Sequence, residues 1–438
     1  MPYSDKDLEQ YAELLIRLGV NLQPGQSLTI RTEPIHRDFA LVLASAAYDA
    51  GAKFVSFEYS DMRLQSIRVR KSSEQELEWL PTYFGAMAQE RKDDSWAAIS
   101  LVGEEDPSLP AQLDPNKLRI LQTAEYRAMM PWRSAMMEMK QQWNVAALPT
   151  PAWAQKVFPK LEAGEALPRF WEEIRRIIRL DADDPLAAWQ EHLGNLAAAR
   201  STLQSKHVQA LHFLDPEPGP DGKPSTDLTI GLTDRPHWAG GNSGLGTEGD
   251  ENSQGEKDSG ALETPVFLPN IPTEELFTTP HRLRVNGWMR TSRPSFPFRR
   301  EVAEVTFRFE DGCIVDFSAG EGQDVYEQFF AVEGTRYLGE VALVDVSSPI
   351  FQSGLTYYNT LFDENAACHV AFGQAYPIGL EGGAELSAEE LFEAGVNSSD
   401  LHLDVMIGTA TLDVTGHLSD GGELEIMRQG RYTPAVLA

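Results

Sequence analysis

The sequence predicts an α/β protein in two parts: an N-terminal open α/β sheet domain over residues 1–206 and a C-terminal mixed α+β domain over 207–438. Three observations predict it. The chain has 438 residues, more than the roughly 250 to 300 at which a single core stops growing. Strand-like and helical patterns alternate as far as Leu148, which is the signature of a mostly parallel sheet flanked by helices. From His207 onward, short apolar runs separated by Gly- and Pro-rich turns replace that alternation.

Ser4 followed by Asp7 resembles a capping box, and Leu8, Tyr11, Ala12, Leu15 and Leu18 recur at helical spacing until Gly19. A strand from Ser27 to Arg31, a helix from Asp38 to Ala50 and a strand from Lys53 to Tyr59 follow as a β-α-β unit. A helix from Glu74 to Arg91, a strand from Trp96 to Val102, a helix after Pro115 and a strand from Trp143 to Leu148 continue the pattern. Residues 151–206 read as helical, with Trp153, Trp171 and Trp189 as packing anchors, since aromatics at helical spacing usually fill cores. The second half offers the strand-like HVQALHFL, STDLTIGL, EVAEVTFRFEDG, RYLGEVALVDV and LHLDVMIG. Residues 237–263 are rich in Gly, Ser and acidic side chains, too polar to bury themselves, and predict a mobile loop. Gly244, Gly246 and Gly249 lie in it with the spacing of a dinucleotide-binding turn, but no strand precedes them and no helix follows, so they predict no nucleotide site.

A net charge of −29 argues against nucleic acid as a partner, because phosphate backbones are bound by clustered Lys and Arg. Two cysteines, Cys313 and Cys368, are too few for a disulfide framework or a cysteine-based zinc site, so any metal would be held by His, Asp and Glu. The N-terminal residues turn acidic within five positions and lack a signal peptide's basic and apolar regions, and no apolar run approaches membrane-spanning length. The expectation is a cytoplasmic protein with no membrane partner.

Candidate chemistry gathers late in the chain. In LHLDVMIG, period-two geometry places His402 and Asp404 on one strand face while Leu403, Val405 and Ile407 face the other way. Such a pair can point at one cation or hydrogen-bond within a core. Glu340 interrupts the otherwise apolar YLGEVALV, where a buried carboxylate needs a metal or a basic partner. Asp363, Glu364 and Asn365 precede His369, which alone reads as a core histidine. Glu274 and Glu275 in NIPTEELFTTP can ligate or can complement a helix N-terminus. Together these residues form an oxygen-rich donor set with some imidazole, suited to Zn, Mn, Co or Mg.

The segments NIPTEELFTTP, RYLGEVALV, LFDENAACHVAFGQAYP and HLDVMIG resemble, in order, the metallo-aminopeptidase family of aminopeptidase T, aminopeptidase S and PepS. LQPGQSL, AAYDAGAKFV, WNVAALPTPAWAQKVFP, FWEEIRRIIRLDADDP and STDLTIGL extend the resemblance over nearly the whole chain. The resemblance implies an aminopeptidase with two divalent metal ions held by Glu274, Glu340, Glu364, His369, His402 and Asp404, with Glu340 bridging both. It makes Tyr376 the active-site tyrosine; two-metal hydrolysis would then use Tyr376 as donor to the oxyanion of a tetrahedral intermediate and a nearby carboxylate to carry a proton to the leaving amine, a role for Glu275 unless that residue only supports the turn. Paired ions lower the pKa of a shared water and polarise the scissile carbonyl. The resemblance also implies short peptide substrates with a free N-terminus and a homodimer enclosing a chamber. Polar insertions at about 240–261 and at PEPGPDGKPS depart from the family pattern, and His417 lies beyond the last motif as a structural residue. The competing readings are another two-metal hydrolase, such as a phosphoesterase, or a non-catalytic protein that binds divalent cations or a small ligand. The first would need basic residues near the ligands that LFDENAACHVAFG and HLDVMIG lack. The second would have no use for Tyr376.

Overall fold

The computed structural model describes residues 3–241 and 265–437. By their contacts these form two compact units: Met1–Trp189 with the described part of Asn242–Pro272, and Gln190–Gly241 with Thr273–Ala438. The change of pattern read at Lys206 coincides with the end of the Pro185–Ser205 helix, whereas the contacts divide within that helix, after Trp189. No helix among the described residues is long and apolar enough to cross a membrane.

The first unit is built on a five-stranded sheet in the spatial order Phe54–Tyr59, Ser27–Thr32, Ala97–Val102, Trp143–Ala147, Asn270–Ile271. Every neighbouring pair is parallel, so each connection must cross over, and helices make the crossings among the first four strands of the chain. Four of the strands match the sequence reading to within one residue at each end. The fifth has two residues, too few to leave a periodic signal. Ser4 caps the opening helix Asp5–Leu14 by accepting from the Asp7 N–H at 3.1 Å. The helix expected from Glu74 to Arg91 is instead two, Glu74–Glu78 and Tyr83–Asp93. Pro81 separates them, because a proline disfavours helical backbone at the residue before it. Trp153, Trp171 and Trp189 are all buried, as their spacing predicts.

The second unit holds two antiparallel sheets. Eight strands run in the order Cys313–Ser318, Thr306–Glu310, Pro280–Arg290, Pro224–Leu232, Val208–Pro218, Asp413–Leu418, Glu423–Arg428, Arg431–Tyr432. Five run in the order His402–Met406, His369–Gly373, Leu338–Val344, Glu275–Thr278, Ala239–Gly240. Val208, Phe213, Leu228, Ile230, Phe307 and Val414 of the larger sheet share one apolar cluster with Leu276, Val341, Leu343, Val370, Phe372 and Val405 of the smaller. The two sheets therefore pack inner face to inner face. The segment read as a loop from 237 begins with Ala239–Gly240 paired to the Glu275–Thr278 strand; the rest, from Asn242 to 263 with the three glycines, lies outside the described residues.

Candidate active site

The smaller sheet has a second face, and the period of two decides what stands on it. Residues directly opposite each other in a ladder share a face. Val344 pairs with Glu275, Ala342 with His369, Glu340 with Ala371, Ala371 with Asp404 and Gly373 with His402. Glu275, Glu340, His369, Asp404 and His402 therefore stand together on the face turned away from the apolar cluster.

Strict alternation over LGEVALV would put Leu338 on that face as well. Leu338 instead belongs to the apolar cluster, because the register slips between Leu338 and Glu340. The extra residue is Gly339. A Cβ there would lie 2.5 Å from Gln374 O and 2.6 Å from Gly373 O, so the chain passes too close to its neighbour for any side chain. The bulge re-aims the strand within one residue, keeping Leu338 in the core and Glu340 in the site.

Both histidines are oriented by backbone carbonyls. His369 Nδ1 lies 3.1 Å from Ala367 O, and His402 Nδ1 lies 2.7 Å from Gln374 O. A carbonyl oxygen can only accept, so each Nδ1 carries the proton and each Nε2 is presented to the cluster. His369 Nε2 stands 3.4 Å from Glu275 Oε2 and 3.6 Å from Glu340 Oε1. His402 Nε2 stands 3.1 Å from Asp404 Oδ1 and 3.9 Å from Glu340 Oε2. The two oxygens of Glu340 thus face different imidazoles. Glu275, Glu340 and His369 each offer one ligand atom within 4.8 Å of the others.

The electrostatics are those of a site with surplus negative charge. Burial pushes Glu275 up to about 7, with Glu340 and Asp404 adding to the rise and His369 opposing it. Burial, then the charges of Glu275 and Asp404, raise Glu364 well above the carboxylate range. For the imidazoles burial acts downward, but the neighbouring carboxylates win: Glu340 and Glu275 push His369 up to about 10, and Asp404 pushes His402 up to about 9. Asp404 stays below its usual range despite burial because His402 holds it. Buried charges of this kind are paired or coordinate cations. Among the described residues, Glu275 Oε2 meets no hydrogen-bond donor in good geometry. Oxygen-rich donors, an acceptor left over, and Nε2 atoms fixed by backbone bonds to Nδ1–H are the features of a divalent-metal site.

The remaining predicted residues lie around this cluster. Glu364 opens the short 3-10 turn Glu364–Ala366, within electrostatic reach of Glu275, Asp404, His369 and Glu340. Glu274 precedes the Glu275–Thr278 strand, with its carboxylate 3.6 Å from His192 Nε2. The Tyr376 ring centroid is 5.1 Å from that of His402 and 6.2 Å from that of Phe277. Although the residue is 48% exposed, desolvation of its hydroxyl and the charges of Glu340 and Asp404 raise its pKa, so it keeps its proton. His417 stands on another strand, 3.6 Å from Glu423. Asp363 accepts from the N–H groups of Tyr357 and Asn359 and ties down their loop. His192 was not selected from the sequence. It lies in the Pro185–Ser205 helix beside Gln190 and Glu191, where one more polar side chain on a helix gives no one-dimensional signal.

Residues 4–432 match the family described as thermophilic metalloprotease (M29). Aminopeptidase 2 of Geobacillus stearothermophilus is 39% identical over 429 residues, covering 98% of each chain. Aminopeptidase T of Thermus aquaticus is also 39% identical over 429 residues, again with 98% of each covered. The solved structure of wild-type AmpT from Thermus thermophilus superposes with a TM-score of 0.83 at 36% identity, over 98% of this chain and 99% of that one. The chain therefore belongs to the thermophilic metalloprotease (M29) family and is a metallo-aminopeptidase.

Proposed function

We propose that the enzyme removes N-terminal residues from short peptides with two divalent ions, of Zn, Co, Mn or Mg, held by Glu274, Glu340, Glu364, His369, His402 and Asp404. The observation that carries this reading is Glu340, whose two carboxylate oxygens face Nε2 atoms of two different histidines. A carboxylate so placed would let one side chain serve two ions, each also served by one imidazole. When bound, such ions acidify water and polarise a carbonyl.

The chain's own residues supply the rest. Tyr376, protonated at neutral pH, donates a hydrogen bond to the oxygen that becomes negative as the carbonyl is attacked. Glu275, whose Oε2 accepts no well-aligned hydrogen bond among the described residues and lies among the acidic groups, accepts a proton from the attacking water and returns it to the leaving amine. The surplus of carboxylates favours the free α-ammonium group of the substrate over an acylated one. Placement of Glu275 rather than Glu274 in the tightest group of ligand atoms supports a second reading, in which Glu275 is itself a metal ligand. A homodimer and a cytoplasmic location accompany the proposal.

The test is hydrolysis of aminoacyl chromogenic substrates and their N-acetylated counterparts by metal-stripped protein, before and after adding each ion. Restored turnover on free-amine substrates alone is the expected result. Equal turnover of acetylated substrates would remove the exopeptidase reading, and saturation at one ion per chain would remove the second ion.

A further inference from the structure

The peptide group joining Thr273 and Glu274 is gripped at both edges by side chains distant in sequence. Its carbonyl oxygen lies 2.9 Å from His192 Nε2, which must be the donor because the carbonyl only accepts. Its N–H donates to Asn365 Oδ1 at 2.7 Å. Asn365 is fully buried, and its amide nitrogen donates to Leu361 O at 3.0 Å and stands 3.5 Å from Glu364 Oε1. The same His192 nitrogen is 3.6 Å from Glu274 Oε2.

A peptide group is planar, so bonding both its edges fixes the orientation of the whole plane. That plane sets ψ of Thr273 and φ of Glu274, and with them the entry into the Glu275–Thr278 strand. The two adjacent carboxylates leave this point toward different surroundings, Glu274 beside His192 and Glu275 beside His369. If the plane rotated, both would move together. The second contact of Asn365, with Glu364, ties another acidic side chain to the same frame.

We propose that His192 and Asn365 are positioning residues: a clamp on the Thr273–Glu274 peptide that aims the carboxylates of Glu274 and Glu275 into the metal site and holds Glu364 in register with them. The proposal rests on the reading of this site as a divalent-metal centre. Residues that orient ligands in this way typically contribute about 10- to 100-fold to metal affinity.

The experiment compares His192→Leu, which removes the donor, with His192→Gln, whose amide can reach the same carbonyl. Zinc is titrated into metal-stripped protein against a chromophoric chelator, and the thermal midpoint of the metal-free protein is recorded. His192→Leu should bind zinc about 10- to 100-fold more weakly, while His192→Gln stays within about threefold of the unmodified chain. Equal losses in the two variants overturn the proposal, as does a lowered metal-free midpoint with unchanged affinity. Should His192→Leu fail to fold, His192→Asn takes its place: its amide is one carbon too short, so affinity equal to that of His192→Gln overturns the clamp. An unmodified chain that binds no zinc would refute the metal-site reading itself and is told apart by that control.

Discussion

The two faces of the smaller sheet in the second unit carry opposite chemistry on the same strands. One face presents Leu276, Leu338, Val341, Leu343, Val370, Phe372 and Val405 to the shared core, and burying each such side chain contributes roughly 1.5 to 3 kcal/mol. The other presents Glu275, Glu340, His369, His402 and Asp404, whose burial costs free energy until opposite charge arrives. Neither face explains the enzyme alone. The apolar face makes the strands rigid, and rigidity lets the polar face hold mutually repelling carboxylates a few ångströms apart. Stability and activity should then separate by the parity of a residue along its strand.

The largest expected effect is at Glu340. Glu340→Gln should lower kcat/KM by more than the about 10- to 100-fold typical of losing a residue that only supports a ligand, because Glu340 is itself read as the ligand shared by both ions. The thermal midpoint of the metal-free protein should change little, because relief of carboxylate repulsion offsets the lost attraction to His369 and His402. A large drop in that midpoint would mean that Glu340 supports the fold and would break the separation of the faces.

On the other face, Phe372 stacks or meets edge-on Phe307, Phe309 and Phe330, with centroids 5.0, 6.2 and 5.4 Å away. Phe372→Ala should cost about 3 to 5 kcal/mol in chemical denaturation. Metal affinity in the folded fraction should not change by more than a few-fold. If affinity collapses, the strands transmit core strain to the site and the two faces are not independent.

Tyr376→Phe sharpens the comparison from within the polar side. Its ring stays against His402 and Phe277, and only the donor is lost. Turnover should fall about 10²-fold, as when one oxyanion donor is removed, with zinc affinity and thermal midpoint unchanged. A loss of affinity instead would place the hydroxyl on the metals.

Much of this arrangement was legible in the sequence because parity is legible. The i, i+2 spacing of His402 and Asp404, with Leu403, Val405 and Ile407 between and beyond them, predicts the two faces directly, and the structure has them. The parallel strands from Ser27 to Ala147 were equally plain, each being a short apolar run between helical patterns. What escaped was written in three dimensions. Leu338 and Glu340 have the same parity, and the bulge at Gly339 shows only in the ladder register. The two-residue strand Asn270–Ile271 carries no period. The grip of His192 on a peptide 81 residues later leaves no pattern at all. The break near Pro81 could have been read, since proline restricts the residue before it.

The smallest expected effect concerns two neighbours that parity alone separates. Glu275 opens the strand and points to His369; Glu274 lies one residue outside it and points to His192. Glu274→Gln should weaken zinc binding by about 10- to 100-fold, with kcat recovering at saturating metal. Glu275→Gln should leave zinc affinity within about threefold and lower kcat by about 10²-fold through loss of the proton carrier. Its acidic limb in the pH profile should disappear as well. The reverse pattern, affinity lost at Glu275 and kcat at Glu274, would assign Glu275 to the metals, as its place beside Glu340 and His369 allows. Sheet position would then rule the choice of ligand, and the residue inside the ladder would be the one held firmly enough to ligate.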